Sequence, residues 1–253
     1  MFAADDLTDD GFLGGRLRVL QPKTGYRAAT DPVFLAAAVP AKPGQEVLEL
    51  GCGAGVATLC LAARVAGLHP AGLERQPDYA ALARENAARN GLEMTVIEGD
   101  LVRMPPELRA RSFDHVFANP PYYPASGTPA RDPGRAAALR EETPLAAWID
   151  AATRRLRPGG WLTMIVGADR LPDLLAGCGS RLGSLSVLPL APRAGRPAGR
   201  VIAQARKGGR AAFRLLAPLV VHEGAAHDGD RDSFTPEAAA ILRQGDAIPA
   251  LWR

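Results

Sequence analysis

The stretch VLELGCGAG at positions 47–55 joins a short apolar run to three alternating glycines, Gly51, Gly53 and Gly55. Glycine allows a tight turn directly after a buried strand, and its missing Cβ lets a ligand approach the backbone at the next helix N-terminus. A dinucleotide fingerprint requires G-x-G-x-x-G, whereas Val56 occupies its last position here. The turn therefore suits a ligand without a pyrophosphate, and Glu49 before it favours a positively charged ligand.

Further apolar runs follow along the chain, separated by helix-compatible segments. The runs are VLEL at 47–50, AGLE at 71–74, MTVIE at 94–98, FDHVFA at 113–118 and WLTMIV at 161–166. This alternation predicts βα units and a doubly wound α/β fold with a mostly parallel sheet. After residue 184 the β-rich runs lack intervening helices, so we expect an antiparallel pair at the C-terminal edge of the sheet.

Three of the intervening segments are predicted as helices. DYAALARENAARNG at 78–91 places Asn86 on its apolar stripe, and TPLAAWIDAATRRLRPGG at 143–160 ends in a Pro-Gly-Gly stop. ADRLPDLLAGCGSRLG at 168–183 predicts a weaker helix, interrupted by Pro172 and three glycines.

Two more acidic residues follow the second and third apolar runs. Glu74 lies 19 residues after Gly55, where a carboxylate can accept hydrogen bonds from both hydroxyls of a ribose. Asp100 follows in the sequence IEGDL, where a carboxylate can accept from an adenine amino group. Each acid alone is better explained as a helix cap or a solvated strand end. Together with the glycine turn, at successive strand ends of a parallel sheet, they predict a nucleoside-type cofactor.

The composition excludes several classes of protein. The 253 residues are 47% hydrophobic and 23% charged, and no apolar run approaches the roughly 18 residues that cross a bilayer. The acidic start MFAADDLTDDGF is unlike a secretory signal, so we expect a cytoplasmic protein without membrane contact. Three separate cysteines and four histidines without metal-ligand spacing argue against a disulfide framework and a metal site.

The net charge of +3 is unevenly distributed. Seven positive residues and no acid lie between Arg193 and Arg214. Such a stretch can neutralise nucleic-acid phosphates, or it can be an ordinary solubilising surface.

The sequences ELGCGAG, GDL and NPPY, together with Glu74 at its strand end, resemble the class I S-adenosylmethionine-dependent methyltransferases over roughly residues 45–170. The resemblance implies a Rossmann-like seven-stranded sheet and S-adenosylmethionine as cofactor. It also implies one methyltransferase domain at 45–253, with an extension at 1–44 that packs over the cofactor site. In that family the glycine turn and its leading acid hold the methionine part, the second acid the ribose and the third the adenine. Those roles fall on Glu49, Gly51, Gly53, Gly55, Glu74, and Asp100 with Leu101.

NPPY at 119–122 follows the fourth apolar run, where its prolines end the strand. It resembles the motif of methyltransferases that act on adenine N6, cytosine N4 or glutamine N5. Such an amine is a poor nucleophile because its lone pair is delocalised. The Asn119 side-chain oxygen and the Pro120 carbonyl can accept its two N–H groups and draw the nitrogen toward a pyramidal state. Tyr122 offers a ring for stacking, and an ordinary Pro-Pro turn is the alternative.

The segment QPKTGYRAATDPVFLAAAV at 21–39 is similar to the opening of the bacterial adenine-N6 methyltransferases that act on valine tRNA. This similarity implies cofactor contacts for Arg27, Thr30 and Asp31, although Thr30 or Asp31 suits the N-cap of the following helix equally well. It further implies that substrate contacts come from Tyr123, which with Tyr122 clamps a flipped base, and from Arg131 and Arg135, which meet phosphates.

The leading prediction is a methyltransferase that modifies adenine N6 in RNA, with tRNA as the expected partner. The alternatives are a glutamine-N5 methyltransferase of release factors, a small-molecule amine methyltransferase and a non-catalytic RNA-binding protein. About 45 residues precede the glycine turn, too few for the separate helical domain that the glutamine enzymes usually carry. The intact NPPY argues against a non-catalytic protein. The oligomeric state stays open, with a monomer slightly favoured.

Overall fold

The computed structural model of the protein describes residues 2–121, 123–124, 140–141, 143–224 and 233–248. Three residues assigned above, Tyr122, Arg131 and Arg135, lie outside the described residues. Of Tyr123 only the backbone is described.

The first 44 residues form a hairpin and a helix. Strands β1 (Leu7–Phe12) and β2 (Leu17–Pro22) pair antiparallel. Helix α1 (Asp31–Ala38) begins with a proline in its first turn, where the fixed φ and the missing N–H suit a helix start. Leu17, Val33 and other apolar residues of this segment belong to the same buried cluster as Ile165 of the central sheet. The segment therefore shares a hydrophobic core with the rest of the chain.

The remaining strands, in chain order, are β3 (Glu46–Leu50), β4 (His69–Glu74), β5 (Thr95–Glu98), β6 (Phe113–Ala118), β7 (Tyr123–Pro124), β8 (Arg140–Glu141), β9 (Leu156–Gly167), β10 (Leu182–Arg193), β11 (Arg200–Lys207), β12 (Arg214–Leu215) and β13 (Leu219–His222). Strands β7 and β8 form a separate two-residue parallel ladder. Within the described residues, the other nine strands form the main sheet.

The main sheet has the order β12-β10-β11-β9-β6-β3-β4-β5, with β13 also paired to β10. Strands β3, β4, β5, β6 and β9 run parallel, so their carboxyl ends meet at one edge. The predicted mostly parallel α/β sheet is thereby confirmed. The expected antiparallel pair on the C-terminal side of the sheet is also confirmed, because β11 runs antiparallel to both β9 and β10. The short strands β12 and β13, both parallel to β10, raise the predicted seven strands to nine.

Helices cover both faces of the sheet. They are α2 (Val56–Arg64), α3 (Pro77–Arg89), α4 (Pro106–Arg109), α5 (Leu145–Arg155), α6 (Leu171–Cys178) and α7 (Pro236–Ala239), which continues as a π-helical turn. Successive strand residues face opposite layers: Phe117 belongs to the cluster with α1 and α2, and Val116 to the cluster with α5 and α6. The expected interruption at Pro172 is wrong, because this proline stands in the first turn of α6 and begins that helix.

The side chains of Asn86 in α3 and of Asn90, which directly follows that helix, pair the open edge of β2. Asn86 Oδ1 accepts from the Leu20 amide at 2.8 Å, and Asn86 Nδ2 donates to the Leu20 carbonyl at 3.0 Å. Asn90 makes the same pair of bonds with Arg18, both at 2.9 Å. Two amides one helical turn apart therefore take the place of a neighbouring strand. Asn86 Nδ2 also donates to the Ala54 carbonyl at 3.0 Å, which ties the hairpin to the glycine turn.

None of the described helices is both long and apolar enough to span a membrane. In the described part of the chain, no group of three or more His, Cys, Asp and Glu side chains is arranged to hold a metal ion. The three cysteines, Cys52, Cys60 and Cys178, are buried free thiols.

Candidate active site

The glycine turn begins where β3 ends at Leu50. The amides of Gly51 and Cys52 both donate to the carbonyl oxygen of Leu73 in β4, at 2.7 and 3.0 Å. Gly51 has φ +67°, a conformation that side chains with a Cβ rarely adopt. A Cβ at this position would also lie 2.7 Å from the ring of Trp148. The missing Cβ of Gly51 thus makes room for the indole of α5, which lines the same cavity as the glycine.

Gly53 and Gly55 face different surroundings. Gly53 lines the cavity, its amide donates to Glu74 Oε2 at 2.9 Å, and a Cβ there would lie 3.7 Å from the Tyr26 ring. Gly55 is the N-cap of α2 with φ +88°, and a Cβ there would meet Ala83 of α3 at 3.4 Å. Gly55 therefore shapes the helix start and the packing of two helices rather than the cavity.

A cavity of about 650 Å³ opens at the carboxyl ends of β3, β4, β5 and β6. Its lining includes eight of the residues that the sequence singled out: Glu49, Gly51, Gly53, Glu74, Asp100, Leu101, Asn119 and Pro120. Phe2, Thr24 and Tyr26 form part of its wall, so the N-terminal segment covers one side. The volume is typical of small-molecule sites, and the lining supplies acids and aromatic rings around one space.

Glu49 is a buried acid below the glycine turn. Its Oε2 accepts from the amide and from the hydroxyl of Thr58 in α2. Burial raises the pKa of Glu49 to about 8, the two Thr58 bonds oppose the rise, and the nearby Glu74 adds to it. Without a cation in the cavity Glu49 is therefore mostly protonated at neutral pH, and a bound positive charge favours its ionised form.

Glu74 and Asp100 lie at the ends of the next two strands. Glu74 is buried, and its two oxygens accept from the amides of Gly53 and Gln76, each at 2.9 Å. Asp100 is half-buried and accepts from the Val102 amide at 2.8 Å. Backbone amides thus fix the direction of both side chains, and each carboxyl oxygen keeps further acceptor capacity for a ligand.

Asn119 is held by a residue that the sequence analysis did not single out. Asn119 Nδ2 donates to the hydroxyl oxygen of Tyr26 at 3.2 Å, and Tyr79 in α3 donates to the Tyr26 carbonyl at 2.9 Å. Burial, followed by the charge of Glu49, raises the pKa of Tyr26, so the phenol stays neutral. The amide nitrogen of Asn119 thus faces the phenol, and Oδ1 is the acceptor end of this side chain. Pro120 beside it is buried.

Three residues expected near the cofactor, Arg27, Thr30 and Asp31, do not line the cavity. Arg27 pairs with Asp10 at 2.8 Å and also donates to the Thr8 side chain and the Pro22 carbonyl, so it stabilises the hairpin. The Thr30 carbonyl accepts the first bonds of α1, but its side chain makes no cap bond. Asp31 pairs with Arg200 of β11 at 3.2 Å.

The basic stretch 193–214 does not form one surface. Because β11 runs antiparallel to β9, Arg200 lies at the same edge of the sheet as the cavity and Arg206 lies toward the opposite edge. The eight residues of β11 span about 25 Å. Several of these side chains also bind their own fold: Arg206 donates to the Gly159 carbonyl and Lys207 to the Leu156 carbonyl.

The parallel sheet, the glycine turn, the acids at successive strand ends and an Asn-Pro-Pro wall around one cavity define a class I S-adenosylmethionine-dependent methyltransferase. Residues 29–174 match the family described as Methyltransferase small domain, and the chain belongs to this family. The predicted enzyme class and the predicted cofactor are thereby confirmed.

The similar proteins differ in the acceptor that their names give. A tRNA1(Val) (adenine(37)-N6)-methyltransferase of Dickeya chrysanthemi is 29% identical over 217 residues, covering 83% of this chain and 85% of the relative. A release factor glutamine methyltransferase of Geobacter sulfurreducens is 33% identical over 150 residues, covering 54% of this chain and only 50% of the relative. The crystal structure of a predicted O-methyltransferase from Agrobacterium tumefaciens superimposes with a TM-score of 0.70 at 28% identity, covering 86% of this chain and 98% of that one.

Proposed function

We propose that the protein transfers the methyl group of S-adenosylmethionine to N6 of an adenine in tRNA. The observation that carries the proposal is the Asn119 amide, which Tyr26 holds beside Pro120 in the wall of the cavity. The tRNA acceptor is supported by relatives of 29% to 35% identity that are named tRNA1(Val) adenine-N6 methyltransferases. Such an acceptor places the reaction in the cytoplasm.

The residues around the cavity fit S-adenosylmethionine, which supplies an electrophilic methyl group on a sulfonium centre when bound. In our proposal the buried Glu49 attracts the positively charged methionine end, next to the glycine turn. Glu74 accepts hydrogen bonds from the ribose hydroxyls. The amides of Gly53 and Gln76 hold its two oxygens in position for these bonds. Asp100 and Leu101 border the place for the adenine.

The wall formed by Asn119 and Pro120 is suited to an amine. With Nδ2 bonded to Tyr26, Asn119 directs an oxygen acceptor toward one substrate N–H. Pro120 has no N–H of its own, and in our proposal its carbonyl accepts the second substrate N–H. These two acceptors favour the pyramidal nitrogen of the transition state over the planar ground state, so they raise the rate rather than the affinity. Tyr122 keeps its proposed stacking role.

An oxygen acceptor fits this cavity less well. A substrate hydroxyl requires a base that removes its proton, whereas a methylated ammonium loses its proton readily to water. No His or Lys side chain lines the described part of the cavity. The two acceptors at 119 and 120 also match the two N–H groups of an amine, where a hydroxyl offers one.

A glutamine amide of a release factor is the second candidate. It presents the same two N–H groups as adenine N6, and a named relative of this kind is 33% identical over 150 residues. The two acceptors differ in shape, because a flat purine needs a ring to stack on and a glutamine does not.

The test is to incubate the protein with methyl-labelled S-adenosylmethionine and, in parallel, undermodified bulk tRNA or unmethylated release factor. Mass spectrometry of the digested products identifies the acceptor. We expect N6-methyladenosine in tRNA and no methylglutamine. Asn119→Ala should lower the rate about 100-fold or more while cofactor binding persists, and Asn119→Asp should keep part of the rate because it retains an acceptor. Methylglutamine as the sole product, or full turnover by Asn119→Ala, would contradict the proposal.

A further inference from the structure

A second hollow of about 720 Å³ lies next to the cofactor cavity, between the segment 101–109 and helix α5. Leu101 lines both spaces, so the two are neighbours. We call this hollow the arginine groove, because four arginines line it: Arg103, Arg109, Arg154 and Arg155. Among its described lining residues, Asp150 is the one acid.

The positive charge of the arginine groove is poorly balanced. Asp150 pairs with Arg154 and with Arg181, each at 2.8 Å, so one carboxylate serves two guanidinium groups. Arg103 and Arg109 are exposed to solvent at the groove. Excess positive charge in a concave surface attracts anions and raises their local concentration.

Arg155 shows how closely these cations lie. Its guanidinium is held in place by the carbonyls of Leu108 and Arg109, at 2.7 and 2.5 Å. Burial lowers the pKa of Arg155, and the positive charges of Arg154 and Arg109 lower it further. Burial likewise lowers the pKa of nearby Lys207, and Arg155 and Arg181 add to that effect. Mutual repulsion among fixed cations is relieved when an anion binds between them.

The position of the groove relates it to the acceptor site. Trp148 lines the cofactor cavity, and its neighbour Ala147 lines the groove. From Trp148 to Arg155 the helix rises about 10 Å, so Arg154 and Arg155 lie about two helical turns beyond the residue that lines the cavity. On the other wall of the groove, Arg103 follows two positions after Leu101, which lines both spaces. A positively charged channel that leads away from a base pocket is how proteins follow a nucleic-acid backbone.

We propose that the arginine groove binds the phosphate backbone of the RNA substrate beside the nucleotide that is methylated. This inference rests on the proposed function and extends it to the RNA-binding surface. It assigns the RNA contact to the segment 101–109 and helix α5, not to the arginine-rich stretch 193–214.

The experiment compares two double variants with the same change of charge. Arg103→Glu with Arg109→Glu alters the groove. Lys42→Glu with Arg243→Glu is the control, because both side chains are exposed and neither lines the groove or the cavity. Binding of undermodified tRNA is measured by filter binding at salt concentrations between ~50 and ~200 mM. Cofactor affinity, the thermal midpoint and turnover at saturating tRNA are measured on the same variants.

We expect the groove variant to bind tRNA at least tenfold more weakly than the control variant. Its plot of log affinity against log salt should be shallower by about 1 to 2, as expected for two lost phosphate contacts. Cofactor affinity, thermal midpoint and turnover at saturating tRNA should match the control.

Equal tRNA affinity and equal salt dependence in the two variants would overturn the groove assignment while wild-type methylation of tRNA leaves the proposed function standing. Wild-type protein that neither binds nor methylates tRNA would overturn both. Loss of release factor methylation in the groove variant, with tRNA unmodified by either protein, would make the partner of the groove a protein and refute the RNA assignment.

Discussion

Glu49 is expected to release a proton when S-adenosylmethionine binds, and cofactor affinity should therefore depend on pH. Burial, with a smaller contribution from Glu74, raises the pKa of Glu49 to about 8. The sulfonium and ammonium groups of the cofactor favour the ionised carboxylate. Below pH 8 the free protein holds the proton and the complex does not, so affinity rises with pH up to that value.

The size of the effect follows from the ionised fraction. With a pKa of about 8, Glu49 is roughly 1% ionised at about pH 6 and roughly 10% ionised at about pH 7. The cofactor dissociation constant should therefore fall about tenfold between these two pH values, which corresponds to about 1.4 kcal/mol of binding free energy. Above about pH 7.5 the amino group of the cofactor begins to lose its own proton, and the rise should level off.

The stability of the cofactor-free protein should show the opposite trend. The folded pKa lies above the unfolded value of 4.5, so the contribution of Glu49 to stability is full below that value and is lost as pH rises toward 8. Glu49→Gln should remove this slope.

The assay is isothermal titration calorimetry in two buffers of different ionisation enthalpy, which counts the protons released. Near pH 6.5 the wild-type protein should release close to one proton, and Glu49→Gln close to none. Glu93→Gln, an exposed acid away from the cavity, is the matched control and should behave like the wild type. Affinity that is constant between about pH 6 and about pH 7.5, or an identical slope in Glu49→Gln, would refute the reasoning.

Three further predictions concern single side chains around the cavity. Tyr26→Phe removes the acceptor of the Asn119 amide. Because one hydrogen bond is lost, kcat should fall about three- to tenfold while cofactor affinity is unchanged. An unchanged single-turnover rate would exclude a positioning role for Tyr26. Gly51→Ala combines a left-handed backbone with a steric clash, whereas Gly44→Ala at φ +81° has nothing within 4 Å. Chemical denaturation should therefore show that Gly44→Ala lowers the free energy of unfolding by about 1 kcal/mol and that Gly51→Ala lowers it by about 1 to 3 kcal/mol more. Equal decreases in the two variants would disprove the clash. Asn86→Ala leaves three buried or half-buried backbone groups unpaired, so unfolding free energy should drop by about 2 to 4 kcal/mol with weaker cofactor binding, and native-like values for both would contradict the assigned contacts.

The parallel strands were predictable because each is a short apolar run that ends in turn residues or an acid. The β1–β2 hairpin was not predicted. It lies outside the main sheet, and the amides that pair its free edge come from Asn86 and Asn90, which stand 66 and 72 residues further along the chain. Local sequence pattern carries no signal for such contacts. The prediction that Pro172 interrupts a helix was wrong because a proline can either interrupt a helix or stand in its first turn, and the local sequence does not distinguish the two cases.

The candidate site was predictable as far as sheet geometry determines it. Parallel strands bring their carboxyl ends to one edge, and for this reason Glu49, Glu74 and Asp100 line one cavity. The role of Tyr26 could not be predicted from the sequence, because its contact with Asn119 joins residues 93 positions apart. The sequence analysis assigned a cofactor contact to the neighbouring Arg27, but this side chain forms an ion pair with Asp10 of the hairpin.

The side chain of Asn86 bears on how the cofactor chamber exchanges its contents. One buried amide joins three parts: the hairpin at Leu20, the helix that carries it, and the turn at Ala54. Lifting the hairpin breaks these bonds and uncovers Leu17 and Val19 of the shared core, although among the described strands β1 and β2 pair only with each other. Opening of the chamber on this side therefore requires that polar bonds break and apolar surface be exposed together, so it costs more free energy than the opening of a surface loop.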